Sequence, residues 1–290
     1  MKNKTIIITG ASGFIGSNLI NHFVEQGYAV YAFARNIPAN LSLKAKFVYY
    51  NLEDNSINEE AFMNSSYIIH CAYLKYSDKH FNSDEINIEG TKRLLELSRK
   101  YNLNKFIFLS SFSAHSEAFS HYGNVKLKLE KLFDENSDLI LKPGLVLGNG
   151  GLFKSISDII LNNKIVPIIG DGKQPVQTIH VKDLANIIQV GIERSISGTY
   201  YLAESSAVKM NELYIAIQNK LKRKNVFIHL PYFIFEILFY FSKILKITLP
   251  ISKENILGLK HSKSFDTNKA IKDFNVSMPN YKENIDKIFK

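Results

Sequence analysis

The stretch "TIIITGASGFIGSNLI", residues 5–20, decides the fold. A β-branched apolar run leads straight into three glycines, Gly10, Gly13 and Gly16, spaced three apart. A helical pattern, "FIGSNLINHFVEQG", then runs to Gly27. A strand that turns on glycine into a helix lets a pyrophosphate approach the amides of the helix N-terminus, and a glycine inside the helix lets it pack closely on the strand. A glycine triplet alone is weak evidence, because an ordinary strand–helix turn looks the same; the strand before and the helix after favour a dinucleotide. No lysine follows Gly16, so the motif is not a P-loop. The glycine spacing of residues 10–13 is also wrong for a serine nucleophile elbow.

Outward from this stretch, short apolar runs alternate with helical ones. "AVYAFA", "FVYYN", "SYIIHCA", "KFIFLSS" and "LILKPG" read as strands. "SDEINIEGTKRLLELSRKY" and "HYGNVKLKLEKLFDE" read as helices between them. Strands that are apolar on both faces, alternating with helices, predict an α/β fold with a doubly wound parallel sheet. After about residue 148 the pattern loosens. "GTYYLA" reads as one more strand, "VFIHLPYFIFEILFYFSKILKI" as an apolar helical stretch and "YKENIDKIF" as a last helix. The expected division is a dinucleotide-binding domain over 1–150, rejoined by 176–205, and a small, mostly helical substrate lobe from 151–175 and 206–290.

Composition narrows the class. With 290 residues and 46% hydrophobic content the chain can bury a large core. One cysteine, Cys71, excludes an internal disulfide framework and fits a reducing cytoplasm. The apolar run of "MKNKTIIITG" is too short for a signal peptide. The net charge of +9 is almost all scattered lysine, with no basic stripe interleaved with aromatics, so a nucleic-acid face is not expected. No HExxH, CxxC or clustered His/Asp set predicts a metal site. Residues 231–247 are apolar, but Glu236, Lys243 and Lys246 interrupt them, and spanning a bilayer takes about 20 uninterrupted apolar residues. A buried lobe helix is the first reading; an interfacial helix touching membrane or a lipid-like substrate is the alternative.

Two further patterns point to chemistry. Where an NAD-binding unit places an acid at the end of its second strand, this chain has Ala34 followed by Arg35. A missing carboxylate removes repulsion against a ribose 2′-phosphate, and a guanidinium can fork onto it, so NADP is expected, with NAD as the alternative. In "HYGNVK", Tyr122 and Lys126 stand one helical turn apart on one face. An ammonium there favours the phenolate of a tyrosine that is otherwise a poor base at neutral pH. Ser110, Ser111 and Ser113 end the preceding strand, where a hydroxyl can hold a substrate oxygen while Tyr122 moves its proton.

Taken in order, "TGASGFIG", "HCAYLK", "NIEGT", "SS" with "YGNVK", "LKPGLVLG", "IHVKDLA" and "FDTNKA" resemble an extended short-chain dehydrogenase/reductase, the NAD(P)-dependent epimerase/dehydratase group. The resemblance covers nearly the whole chain and implies a Rossmann-type sheet. It implies Tyr122 as acid/base, Lys126 as the residue that tunes it and holds the nicotinamide ribose, and Ser111 as the group that polarises the carbonyl. It implies cofactor contacts from Gly10, Gly13, Phe14, Ile15, Gly16 and Arg35. Asn51 and Leu52 stand at the adenine-contacting pair, with Asn for the usual Asp. Ala72 and Lys75 fall in the loop beside the pyrophosphate, Asn87 matches the helix asparagine, and Pro143 lies near the nicotinamide amide. A homodimer is the default for such proteins.

The departures bear on the reaction. Dehydratases of the group carry Asp-Glu directly after the Ser/Thr; here these are Phe112 and Ser113, which disfavours 4,6-dehydration. Epimerases carry an arginine just before "IHV", where this chain has Val176, and another ahead of "FDTNKA", where only Lys260 and Lys263 lie nearby. A lysine binds phosphate as a point charge and does not reproduce the fork, which weakens a nucleotide-sugar substrate without excluding it. The first expectation is an NADP-dependent oxidoreductase acting on a keto-sugar or another small carbonyl or alcohol compound. The alternatives are an NAD-dependent nucleotide-sugar epimerase and a non-catalytic cofactor-binding regulator or accessory subunit. His180 and Asp183 are expected to be structural.

Overall fold

The computed structural model describes residues 4–38, 41–54, 56–76, 82–244 and 252–289. Strand β1 (Thr5–Thr9) is buried throughout and passes through the glycine turn into helix α1 (Phe14–Glu25). Then come β2 (Ala29–Ala34), β3 (Ala45–Tyr49), the short α2 (Glu59–Met63) and β4 (Tyr67–His70). Helix α3 (Ser83–Lys100) leads to β5 (Lys105–Leu109), and α4 (His121–Glu130) to β6 (Leu139–Pro143). The second half adds β7 (Leu145–Leu147), α5 (Gly151–Asn162), β8 (Ile165–Ile169), β9 (Pro175–Val176), β10 (Thr178–His180) and α6 (Val181–Glu193). Strand β11 (Gly198–Leu202), β12 (Val208–Lys209), α7 (Met210–Lys220) and β13 (Val226–Leu230) follow. The chain closes with α8 (Tyr232–Ile244), α9 (Lys253–Lys260), α10 (Asn268–Phe274) and α11 (Tyr281–Ile288).

Seven strands form one sheet in the order β11-β6-β5-β4-β1-β2-β3, and every neighbouring pair is parallel. The order reverses between β1 and β4, so the loops leaving these two strands diverge and leave a crevice at their C-terminal ends. One apolar cluster packs α1 and α6 on one face of the sheet through Leu19, Phe23, Leu184 and Ile188; a second covers the other face through Leu94, Val125, Leu129 and Phe133. A third, around Phe153, Ile168, Tyr214 and Ile285, belongs to the smaller half. Ala270 and Phe274 of α10 return to the first cluster, so the C-terminal stretch serves both halves.

The helical reading of 226–247 needs correction. Val226–Leu230 forms β13, parallel to β8, and the helix starts only after Pro231. Proline lacks an N–H and fits the entrance of a helix but not its interior, so the apolar run divides there. Residues 245–247 lie outside the described residues.

Helix α1 sits so close to the turn that a Cβ at Gly16 would stand 2.2 Å from the Gly10 carbonyl oxygen, a backbone atom that cannot swing away. Gly27 has a positive φ but open space around it. Gly16→Ala is therefore expected to lower the melting temperature by about 10 °C, against about 3 °C for Gly27→Ala, where only the left-handed backbone is strained. Thermal melts of the two variants by circular dichroism check the difference; equal losses would contradict it.

Candidate active site

One cleft of about 730 Å³ runs along the C-terminal ends of β1, β4, β5 and β6. Gly10, Gly13, Phe14, Ile15 and Gly16 form one end of its lining; Ser111, Tyr122, Lys126 and Pro143 lie further in, and α9 of the smaller half covers the far side. Its size is that of a small-molecule site, for which about 300–1,000 Å³ is usual.

The glycine end fits a dinucleotide. Gly10 has φ +66°, and a Cβ there would meet the backbone nitrogen of Ala72 at 2.8 Å, so the turn requires glycine twice over. Gly13 caps α1 through its backbone alone, with no side chain on the first amides of the helix. Those donors face the cleft, as anion binding at a helix N-terminus requires.

The loop opposite is held by a buried polar chain. Thr91 Oγ1 donates to the Asn87 carbonyl at 2.7 Å, so it accepts from His70 Nε2 at 3.0 Å. His70 Nδ1 is then the acceptor for the Thr9 hydroxyl at 2.7 Å, while Thr9 Oγ1 accepts from the amides of Cys71 and Ala72 at 3.2 and 3.1 Å. Burial, and then the charge of Lys126, push the His70 imidazole down to about 3, in keeping with this neutral tautomer. Asn87 brackets Leu74, accepting from its N–H and donating to its carbonyl, each at 2.8 Å, and donates to the Ser83 carbonyl at 2.7 Å. Its amide is fully engaged in holding the loop that presents Lys75 to the cleft.

Helix α4 carries the Tyr122–Lys126 pair. Ser120 caps it by accepting from the Gly123 amide at 3.1 Å, and Val125 and Leu129 anchor its inner face. Tyr122 and Lys126 thereby face the cleft, with the Lys126 Nζ 6.0 Å from the centre of the tyrosine ring. Burial pushes the Tyr122 phenol up to about 12, and a hydrogen bond with Ser111 pulls it down. Lys126 donates to the Leu109 carbonyl at 2.6 Å, and burial pushes its own pKa down to about 8, with Cys71 and Glu130 acting the other way. Ser111, not Lys126, is thus the partner that acts directly on Tyr122, because the ammonium is turned to the end of β5. Tyr73 packs edge-on against Tyr122, ring centres 4.9 Å apart, and its buried hydroxyl has no hydrogen-bond partner among the described residues, leaving a polar atom in this wall for a ligand to satisfy.

Behind Ser111 lies a second network. Ser110 donates to Glu130, Lys142 donates to Glu130 Oε2 at 2.8 Å and to the Ala114 carbonyl at 2.6 Å, and Lys142 is almost fully buried. It ties the serine loop to α4 from within. On the open side, Glu254 of α9 accepts from the Tyr122 backbone N–H at 2.9 Å.

The remaining sequence candidates divide between the cleft wall and its surroundings. Arg35 is exposed at the end of β2, directly after buried Ala34, outside the cleft lining. Asn51 donates to Glu53 at 3.1 Å, and Leu52 is buried against Gly90 of α3. Val176 and Lys263 line the cleft; Lys263 pairs with Glu117 at 2.5 Å. His180 caps α6, its Nδ1 accepting from the Lys182 amide at 3.2 Å, and Asp183 pairs with Lys287 at 2.6 Å. Among the described residues no group of three His, Cys, Asp or Glu could hold a metal ion. Sequence reasoning missed Tyr73, His115, Phe119, Glu254 and His261, all in the cleft wall, because none belongs to a spaced motif.

The sequence model of the NAD dependent epimerase/dehydratase family matches residues 6–202. The chain belongs to this family. It is 26% identical over 253 residues to a putative UDP-glucose 4-epimerase of Methanocaldococcus jannaschii, covering 74% of this chain and 82% of that one. It is 22% identical over 262 residues to the N-acetyl-alpha-D-glucosaminyl-diphospho-ditrans,octacis-undecaprenol 4-epimerase of Escherichia coli O157:H7, covering 79% and 76%. In fold it matches the UDP-glucuronic acid 4-epimerase of Bacillus cereus, whose structure holds UDP-glucuronic acid and NAD, with a TM-score of 0.75 at 19% identity over 98% of both chains. Members of this family are NAD(P)-dependent enzymes with this Rossmann sheet.

The site makes a pH-dependent demand on stability. The Lys126 pKa is lowered in the fold, so the fold disfavours the ammonium; the cost is full below about 8 and fades as pH rises towards the ordinary lysine value. Lys126→Met is expected to melt higher relative to the parent at pH 7 than at pH 10. A gap that widens with pH would contradict this assignment.

Proposed function

We propose that this chain epimerises a sugar carried on a diphosphate, by reversible oxidation of a secondary alcohol carbon. The observation that supports this most is the convergence of Ser111, Tyr122 and Lys126 in the cleft that begins at the glycine turn. When bound, the nicotinamide supplies a hydride acceptor and donor. Gly10 and the α1 N-terminus would hold its pyrophosphate, and Pro143 would border the nicotinamide end. The phenolate of Tyr122 takes the proton of the sugar hydroxyl and, as the phenol, returns it, and Ser111 hydrogen-bonds the same oxygen as it becomes a carbonyl. Lys126 keeps positive charge beside the phenol, held by the Leu109 carbonyl.

Two points support epimerisation over elimination. The positions after Ser111 are Phe112 and Ser113, with no acid. Glu254, the carboxylate lining the cleft, is engaged by the Tyr122 N–H. Both relatives named above by sequence carry the names of epimerases of diphosphate-linked sugars, a putative one that is nucleotide-linked and one that is polyprenol-linked. In this reading the sheet half, 1–150 with 176–205, holds cofactor, and 151–175 with 206–290 holds the sugar.

A second reading, net reduction of a keto-sugar with NADPH, is favoured by one observation. The end of β2 carries no acid, and exposed Arg35 follows Ala34 there, an arrangement suited to a ribose 2′-phosphate. The two readings separate on the purified protein. An epimerase retains its nicotinamide cofactor and interconverts UDP-sugars without added cofactor; a reductase consumes NADPH in proportion to product.

Tyr122→Phe is expected to lower turnover about a thousandfold while cofactor retention is unchanged. Turnover near the parent value would exclude the acid/base role. Arg35→Ala is expected to weaken NADPH binding about tenfold and leave NADH binding unchanged. Equal affinity for both cofactors in the parent, unmoved by the substitution, would exclude the NADP preference.

A further inference from the structure

From Tyr232 to Tyr240, helix α8 is apolar apart from Glu236. Tyr232, Phe235 and Phe239, at helical spacing, face inward, against Ile256 and Leu257 of α9. The opposite side has every reason to be polar and is not: Phe233 is 60% exposed, Ile237 49% and Leu238 43%. Glu236 is the single charged residue from Tyr232 to Tyr240. A helix that is hydrophobic all round belongs inside a protein core or against lipid. At 13 residues α8 is about 20 Å long, too short for a hydrocarbon layer of about 30 Å. No helix among the described residues is long and apolar enough to cross a membrane.

The surface beside it has the same character. Strand β13 runs through Pro231 directly into α8, and its Val226 and Ile228 are exposed. Val226 pairs with Ile165 on β8, which is also exposed. Positive charge frames these residues: Lys222, Arg223 and Lys224 precede β13, all exposed, and Lys164, whose carbonyl accepts from the Val226 amide at 2.8 Å, lies alongside. Acids are missing from the two strand segments themselves: none occurs over 159–170 or 220–235. The whole chain carries +9. Exposed aromatic and aliphatic residues flanked by lysine and arginine, with Glu236 the one acid of the helix face, complement one kind of partner: a bilayer surface with anionic headgroups and an apolar layer beneath.

We propose that the outward face of α8, with the exposed edge of β8 and β13, docks onto an anionic lipid bilayer. Phe233, Ile237 and Leu238 enter the interfacial layer; Lys222, Arg223, Lys224 and Lys164 meet the headgroups. Because α8 packs on α9, and α9 lines the cleft, docking brings the substrate side of the enzyme to the membrane. The docking stands independently of the epimerase reading, since it rests on the surface and not on the catalytic groups.

The test is sedimentation of the full chain with vesicles of equal parts phosphatidylcholine and phosphatidylglycerol, alongside pure phosphatidylcholine vesicles. Binding to the anionic vesicles is expected, weaker in high salt, and little binding to the neutral ones. The triple variant Lys222→Gln, Arg223→Gln, Lys224→Gln is expected to bind about a hundredfold less, and Phe233→Ser with Ile237→Ser to lose binding while its thermal melt and cofactor retention stay at the parent level. No binding by the parent overturns the proposal, as does binding that the charge variant keeps in full. A parent that is dimeric in light scattering, with Phe233→Ser and Ile237→Ser monomeric and neither bound to vesicles, assigns the face to a second copy of the chain and overturns it too. If the double serine variant fails to fold, the charge variant, which leaves the apolar surface intact, decides alone.

Discussion

At the end of β1 the Gly10 carbonyl occupies the space that any side chain at position 16 would need. This backbone contact seats α1 on the strand, points its uncapped amides into the crevice and fixes the floor against which the loop after β4 closes. Ala72 is held 2.8 Å from where a Cβ of Gly10 would lie, so the two loops that flank the topological switch meet through glycine. The reversal of strand order between β1 and β4 makes a crevice, and this contact narrows it.

Two buried polar networks carry the constraint outward. Thr9, His70, Thr91 and Asn87 link β1 and β4 to α3, each group hydrogen-bonded, with the histidine neutral. Glu130, Lys142 and Ser110 link α4 to the serine loop. Charges so buried are costly unless paired and hydrogen-bonded, and Lys142 and Glu130 are both. Their effect on the site is positional. They hold Ser111 where it acts on the Tyr122 phenol, and leave Lys126 anchored to the end of β5.

The first two-thirds of the fold was legible because its signals are local. Buried parallel strands read as short apolar runs, glycine marks the first turn, and Tyr122 and Lys126 share a helical face by spacing alone. What was not legible depends on distant chain segments. Glu254 reaches the Tyr122 amide across 132 positions, and α9 lines the cleft with no motif of its own. β13 was hidden inside an apolar run of helical look, and only its pairing with β8 and the stop at Pro231 separate strand from helix. The direction of the Lys126 ammonium was equally out of reach, since it is set by the Leu109 carbonyl on another strand. The hydrophobic face of α8 could be counted in the sequence, but which side of it stays open could not.

In the proposed epimerisation the inverting carbon loses and regains hydride within the cleft, with Tyr122 moving only the hydroxyl proton. Incubating the enzyme with diphosphate-linked sugars in deuterium oxide and reading the product by proton nuclear magnetic resonance tests this most directly. The expected product has an inverted hydroxyl carbon that keeps its original hydrogen, with no deuterium from solvent. Inversion accompanied by deuterium at that carbon would mean that a proton is abstracted there, and would contradict the account.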